Sequence, residues 1–221
     1  MEKNWHIFSD FDGTIAMNDV GAQLFINYGD QEKCRTAVDD WMVGSISSCE
    51  MYRRECATAA VTTEQLIELA HQQKIDPYFL EFYQLCSRKK YDTTILSDGF
   101  EIYIHYILEK YNISNLEVRA NDIRFLNGTQ ITPVFPYNEH SCGRCANCKG
   151  YHIRQFRKKH PQTQVILIGD GFSDRCGAEE ADIVFAKDDL LQYCQNQNLT
   201  YTSFENFADV IESCKKLRIL D

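Results

Sequence analysis

The sequence predicts an α/β protein: a Rossmann-like, largely parallel sheet covered by helices on both faces, with a helical cap inserted near its start. Three observations predict it. Short apolar runs at residues 5–9, 93–97, 165–168 and 183–185 are separated by stretches whose apolar residues recur at helical spacing. The first three of those runs end in polar clusters, at residues 10–14, 97–99 and 169–174. Between the first two runs, residues 18–88 carry helix signals and no convincing strand.

The elements follow in order. Trp5-His6-Ile7-Phe8-Ser9 is apolar and bounded by Asp10 and Gly13, which reads as a buried strand ending in a polar turn. Ser47 and Glu50 form a capping-box pattern ahead of Met51-Tyr52-Arg53-Arg54, and Thr62 with Gln65 forms another before Leu66, Ile67, Leu69 and Ala70. Asp76-Pro77 reads as a cap and a first-turn proline, opening a helix with Phe79, Leu80, Phe82, Tyr83 and Cys86 on its apolar side. After the strand at 93–97, Ile104, Ile107, Leu108 and Tyr111 keep helical spacing. Residues 122–132 read as a hairpin turning at Asn127-Gly128, and residues 133–149 as a loop rich in Cys, Gly and Asn. A basic helix follows through Ile153, Phe156 and Arg157; strands at 165–168 and 183–185 and a helix over 204–217 complete the chain. The expected division is a core of residues 1–17 and 89–221 with a cap of residues 18–88.

Composition excludes several classes. Lys and Arg number 23 against 32 Asp and Glu, a formal charge of −9, which argues against a nucleic-acid binder but not against a locally positive site. Hydrophobic residues at 44% and charged residues at 25% describe a globular chain. No apolar run approaches the roughly 20 residues of a membrane span, and the charged opening lacks a signal core. The expectation is a cytoplasmic protein with reduced thiols, either monomer or homodimer. Of ten cysteines, Cys34, Cys49, Cys56, Cys86, Cys176, Cys194 and Cys214 are scattered singly and read as small core hydrophobes.

The chemistry-bearing residues sit at the strand ends, where open parallel sheets bind ligands. Asp10 and Asp12 are two residues apart, so an extended backbone points both carboxylates to one side. Gly13 permits close backbone approach, and Thr14 adds a hydroxyl. Asp170 and Asp174 form a second carboxylate pair. Four converging carboxylates repel unless a cation intervenes, and an oxygen-only set suits Mg²⁺. Ser97, the amides of Asp98 and Gly99, and Lys149 offer donors and positive charge to an anion. The sum is a phosphoryl-transfer site. Each motif alone is an ordinary turn; their order at successive strand ends favours the functional reading.

Asp10-Phe-Asp-Gly-Thr14, Thr94-Ile-Leu-Ser97, Lys149 and Gly169-Asp-Gly-Phe-Ser-Asp174 resemble the four successive motifs of the haloacid dehalogenase superfamily. The helical block resembles the cap of its phosphoserine-phosphatase-like branch. Met17-Asn18-Asp19, Cys145-x-x-Cys148-Lys149 and residues 184–191 are most similar to the methionine-salvage phosphatases acting on 2-hydroxy-3-keto-5-methylthiopentenyl-1-phosphate. The resemblance implies a phosphomonoesterase of a small phosphorylated metabolite. Asp10 would be its nucleophile and Asp12 its acid and base. Mg²⁺ would sit on Asp10, the Asp12 carbonyl, Asp170 and Asp174, and phosphate would be held by Gly13, Ser97, Asp98, Gly99 and Lys149. Asp19, Arg53 and Arg54 are cap candidates for substrate contact. Two departures stand out: Asp19 takes the place of the glutamate that phosphoserine enzymes carry after the first motif, and Asp98 interrupts the usual Ser-Gly-Gly.

Two alternatives stay open: phosphoserine or a related metabolite as substrate, and a non-enzymatic phospho-acceptor signalling domain. Asp12 and the helical insertion speak against the latter. Separately, Cys142, Cys145 and Cys148 form overlapping Cys-x-x-Cys pairs that match structural zinc spacing, with His140 or a distant cysteine as fourth ligand.

Overall fold

The computed structural model describes residues 4–113 and 115–221; residues 1–3, within the expected 1–17 core segment, lie outside the described residues. Seven strands, β1 (Asn4–Ser9), β2 (Asp92–Phe100), β3 (Glu117–Phe125), β4 (Ile131–Val134), β5 (Thr163–Gly169), β6 (Ile183–Ala186) and β7 (Thr202–Ser203), form one sheet in the order β4-β3-β2-β1-β5-β6-β7. All neighbours pair in parallel except β3 and β4. Five helices join β1 to β2: α1 (Val20–Tyr28), α2 (Gln31–Met42), α3 (Ser48–Thr58), α4 (Thr63–Gln72) and α5 (Phe79–Arg88). The rest are α6 (Glu101–Lys110), α7 (Lys149–Lys159), α8 (Arg175–Ala178), α9 (Asp188–Gln197) and α10 (Phe207–Lys216). No helix among the described residues is long and apolar enough to cross a membrane.

Strand alternation builds two cores. Ile7, Ile95, Ile166, Ile168 and Phe185 face one side of the sheet, where they pack with Phe79 and Phe82 of α5, Ile104 and Ile107 of α6, and Phe207 and Val210 of α10. Phe8, Leu96, Val165, Leu167 and Val184 face the other, against Ile153 of α7 and Leu190 and Cys194 of α9. Apolar residues on both faces explain why these strands read as near-continuous hydrophobic runs.

Local signals act largely as read. Thr62 and Gln65 close both halves of a capping box. Ser47 accepts from the Glu50 N–H, but the Glu50 carboxylate turns to Arg54 instead of closing the box. Asp76 stands three residues ahead of α5: its Oδ1 takes the Tyr78 N–H at 2.8 Å and its Oδ2 takes the Phe207 N–H at 3.1 Å, so one carboxylate fixes the starts of α5 and α10. Gly128 turns the hairpin at φ +71°, and Phe125 pairs with Ile131 across it.

Three elements differ from the sequence reading. β3 begins at Glu117, because its first half pairs in parallel with β2 before the hairpin starts. β2 continues past Ser97 to Phe100 through a register irregularity. The helix α9 and the two-residue β7 carried no signal strong enough to predict. In the helical segment, α1 and α3 lie towards the strand ends, whereas α4 packs on α6 and α5 on α10 and β2.

Two buried histidines tie stability to acid pH. His6 bonds Thr94 Oγ1 at 2.9 Å and His152 bonds Asn147 Oδ1 at 2.6 Å. Burial pushes both rings down to about 4. The unfolded rings protonate near 6.5 and the folded ones only near 4, so their contribution is complete above about 6.5 and is lost as pH falls towards 4. Urea unfolding at pH 7 and pH 4.5 is expected to show a pH-dependent loss that shrinks by about 2 kcal/mol in His6→Gln. An unchanged loss in the variant removes His6 as a cause.

Candidate active site

Since β1 lies between β2 and β5, the carboxyl ends of these strands meet. Asp10 follows β1, and its N–H donates to the Ile168 carbonyl of β5 at 2.9 Å. Phe11, fully buried, anchors the turn between the two carboxylates. Gly13 has φ +75°, and a Cβ there would overlap the Asp170 carboxylate, so a glycine is needed twice over. Thr14 Oγ1 donates to Asp170 Oδ1 at 2.6 Å.

Lys149 opens α7 and is fully buried. Its Nζ lies 2.6 Å from Asp10 Oδ1 and 2.5 Å from Asp174 Oδ1. The other Asp174 oxygen accepts the N–H groups of Asp170 at 3.2 Å and Gly171 at 3.0 Å. Asp10, Asp170 and Asp174 each offer an oxygen, all within 4.8 Å of one another. An oxygen-only group of this kind fits a hard divalent cation.

Asp12 is held differently. Its Oδ1 accepts the Val20 N–H at 2.9 Å, at the start of α1; its Oδ2 accepts from the Tyr103 hydroxyl at 2.7 Å and lies 3.4 Å from Ser97 Oγ. Ser97 Oγ also accepts the Gly99 N–H at 2.9 Å. Burial raises every carboxyl in the group. Asp10 reaches about 7 despite Lys149, and Asp170 and Asp174 about 6, with each other's charge or that of Asp10 adding to the rise. Asp12 is raised well above the carboxylate range by burial and then by the charge of Asp19. Burial works to lower Lys149, but Asp10 and Asp174 outweigh it and hold the ammonium above its ordinary range.

Above these groups lies a cavity of about 280 Å³. Its floor is Asp10, Asp12, residues 97–99 of β2 and residues 170–173; its roof is Phe25 of α1, Trp41 of α2, and Met51, Tyr52 and Glu55 of α3. Trp41 meets Phe172 with ring centroids 5.1 Å apart, joining roof to floor. Asp19 lines the cavity and also caps α1 through the Ala22 N–H at 2.7 Å.

Several expected residues are placed otherwise. Arg53 and Arg54 turn away from the cavity: Arg54 pairs with Glu50 and Asp40, both at 2.9 Å, and Arg53 lies over the Phe135 ring. Their positions on α3, just after Met51-Tyr52, rotate them onto its outer face. The Asp98 carboxylate is taken by the Asn147 N–H at 2.7 Å and by Asn121, which leaves only its backbone for an anion. His140 stacks on Tyr151, centroids 4.7 Å apart, and does not join the cysteines. Cys176, read as a core hydrophobe, instead gathers with Cys142 and Cys148, while Cys34, Cys49, Cys56, Cys86, Cys194 and Cys214 are buried as expected.

Three contributors were missed. Tyr103 sits in the first turn of α6 after the Ser97 motif, and no pattern in the sequence points its hydroxyl back at Asp12. Glu55 does have a signal: it follows Met51 by four residues, an acid within the apolar stripe of α3. Burial pushes it up to about 8. Asn147 bonds the Ser97 carbonyl at 2.9 Å and the Arg119 carbonyl at 2.8 Å, fixing the Ser97 turn from behind.

A family model described as "Putative Phosphatase" matches residues 6–206. The chain belongs to this phosphatase family. Among similar proteins, Pdp3-interacting factor 1 of Schizosaccharomyces pombe is 29% identical, covering 98% of this chain and 97% of that one. The 2-hydroxy-3-keto-5-methylthiopentenyl-1-phosphate phosphatase of Geobacillus kaustophilus is 28% identical over the full length of both. A solved structure of a phospho-aspartyl intermediate analogue of phosphoserine phosphatase superposes with a TM-score of 0.70 at 17% identity, covering 93% of this chain and 95% of that one. The fold is thus that of the haloacid dehalogenase phosphatases, as the motif resemblance implied.

Removing the buried cation should be costly to this phosphatase. Lys149→Met leaves Asp10 and Asp174 facing each other without their partner, and urea denaturation is expected to read a loss of about 3–5 kcal/mol. A loss below about 1 kcal/mol means that the carboxyls neutralise themselves and the lysine is not their structural partner.

Proposed function

We propose that this chain hydrolyses the monoester of a small phosphorylated metabolite in two displacements, with Asp10 as nucleophile and Asp12 as acid and base. The carrying observation is that two carboxyls two residues apart have different partners, an ammonium at Asp10 and only neutral donors at Asp12. Asp10 contacts the Lys149 ammonium, which favours its ionised, nucleophilic form. Asp12 is buried beside Asp19 without a cation, which favours a proton.

In the first displacement an Asp10 oxygen bonds to phosphorus as the ester P–O bond breaks, and Asp12 gives its proton to the departing oxygen. In the second, the Asp12 carboxylate takes a proton from a water that attacks the aspartyl-phosphate, releasing phosphate and freeing Asp10. Tyr103 and the Val20 N–H hold Asp12 in place for both transfers. Ser97 borders the cavity and would donate its hydroxyl to a phosphoryl oxygen, with the Gly99 N–H holding that hydroxyl in place and Lys149 behind Asp10. Asp10, Asp170 and Asp174, with the Asp12 carbonyl, would hold Mg²⁺, which supplies charge neutralisation to the phosphoryl oxygens when bound. A signalling phospho-acceptor has no use for Asp12 or for the roof of α1, α2 and α3. Residues 18–88 serve as the cap in this reading, with those three helices nearest the substrate.

The relatives' substrate, 2-hydroxy-3-keto-5-methylthiopentenyl-1-phosphate, fits the roof: Phe25, Trp41, Met51 and Tyr52 offer an apolar wall to a thioether tail. A second reading rests on Glu55. It supplies the acid that phosphoserine enzymes carry elsewhere, and an ammonium-bearing ester would draw it into its ionised form.

Hydrolysis of p-nitrophenyl phosphate should require added Mg²⁺, stop with EDTA, vanish in Asp10→Asn and fall by roughly 10²–10⁴-fold in Asp12→Asn. Activity retained by a folded Asp10→Asn protein sinks the nucleophile assignment. A panel of the enol phosphate, phosphoserine and phosphoethanolamine separates the two substrate readings. If amines are the substrates, Glu55→Gln lowers kcat/KM on them by about tenfold or more and spares the neutral ester; equal effects on both exclude a charge-specific role.

A further inference from the structure

We propose that Cys142, Cys145, Cys148 and Cys176 form a tetrathiolate zinc site that pins the 142–148 loop to α8 behind the catalytic carboxylates. The site is distinct from the oxygen-lined one and stands whether or not the phosphatase reading holds. The sulfurs of Cys142, Cys148 and Cys176 lie within 4.8 Å of one another. Cys145 stands outside that trio but neighbours two of its members, Cys142 and Cys176, and is buried beside them, within a small shift of the fourth position. None of the four is in a disulfide. Three gathered sulfurs with a fourth thiol beside them, drawn from two segments and with no carboxylate in the group, match a structural zinc centre and its soft-ligand preference. Zinc chemistry needs only the loss of thiol protons on binding, with no oxidant or reductant.

The loop around these cysteines explains why a clip would be useful. Arg144 donates to the Trp41 carbonyl at 3.0 Å, and its own carbonyl accepts the Ser48 N–H at 2.8 Å, so the loop holds α2 and α3. Asn147 holds the Ser97 turn, and Lys149 follows Cys148 directly. Cys176 lies two residues past Asp174, the other partner of Lys149. Where Gly150 meets the Cys176 carbonyl, a Cβ would overlap it, so the two segments are already in backbone contact. One ion would therefore fix together the segments that present Lys149, Asp174, Ser97 and the cavity roof.

The test is the metal content of the full chain purified under reducing conditions without added zinc. About one zinc per chain is expected, with X-ray absorption showing four sulfurs at about 2.3 Å. Cys176→Ser should lose at least tenfold of the zinc, while Cys194→Ser, a buried thiol outside the group, keeps it. Should Cys176→Ser fail to fold, Co²⁺ exchanged into the unaltered protein gives the same answer through thiolate-to-cobalt charge-transfer bands. Hydrogen exchange should rise in residues 142–149 and 170–178 when zinc is stripped. Metal-free protein that takes up no Co²⁺, an ion bound through nitrogen or oxygen, or a disulfide within the four cysteines overturns the proposal.

Discussion

The site depends on a single buried ammonium. Lys149 stands at the first position of α7, where the helix dipole disfavours a cation, and burial adds a desolvation cost of several kcal/mol. Only close anions can offset both, and Asp10 and Asp174 are placed to do so from two other segments of chain. The dependence is mutual. Without Lys149 the Asp10 and Asp174 carboxylates would face each other across a space too small for two unneutralised charges. Three segments far apart in sequence are thus locked by one charge, and the direction of the Asp10 side chain follows from it.

Topology brings those segments together, and the irregularities refine them. Parallel pairing of β1 with β2 and β5 aligns three carboxyl ends. The interrupted register of β2 against β3 then takes residues 97–99 out of regular pairing without ending the strand. That stretch is held from behind by Asn147 and Asn121 on Asp98 and on its backbone. Buried polar groups that look expensive one by one bond to one another here, with Asn121 Oδ1 the one acceptor of the group left without a partner, and together they hold Ser97 in place.

What could be read from the sequence follows the range of the interactions involved. Asp10, Asp12, Asp170 and Asp174 were legible because each sits in a short motif at the end of an apolar run, and a strand end is a local signal. The Thr62–Gln65 box and the Asn127-Gly128 turn were legible for the same reason. Arg53 and Arg54 fall away from the cavity because charge type alone does not set helix phase: Met51 and Glu55 define the inner face of α3, and the two arginines lie outside it. Cys176 was unreadable as a partner of Cys142 because nothing local distinguishes it from Cys194, a buried thiol in the core. Tyr103 was invisible for a similar reason, since its role exists only once α6 has packed against the first turn.

The cavity lining states an electrostatic requirement. Asp10, Asp12, Asp19, Glu55, Asp98, Asp170 and Asp189 all border it, and among the described residues no lysine or arginine does; Lys149 is behind Asp10, not beside the space. A phosphate dianion entering such a space would be repelled by every ionised acid in it. Two circumstances remove the repulsion. Protonation is already favoured at Asp12 and Glu55, where burial raises both carboxyls. A divalent ion between Asp10, Asp170 and Asp174 would, with Lys149, neutralise the three carboxylates at the floor, where the proposed reaction puts the phosphate. The acidic lining is therefore compatible with the proposed reaction: by itself it would disfavour a free anion, and a cation held by Asp10, Asp170 and Asp174 would offset that charge beside the proposed nucleophile.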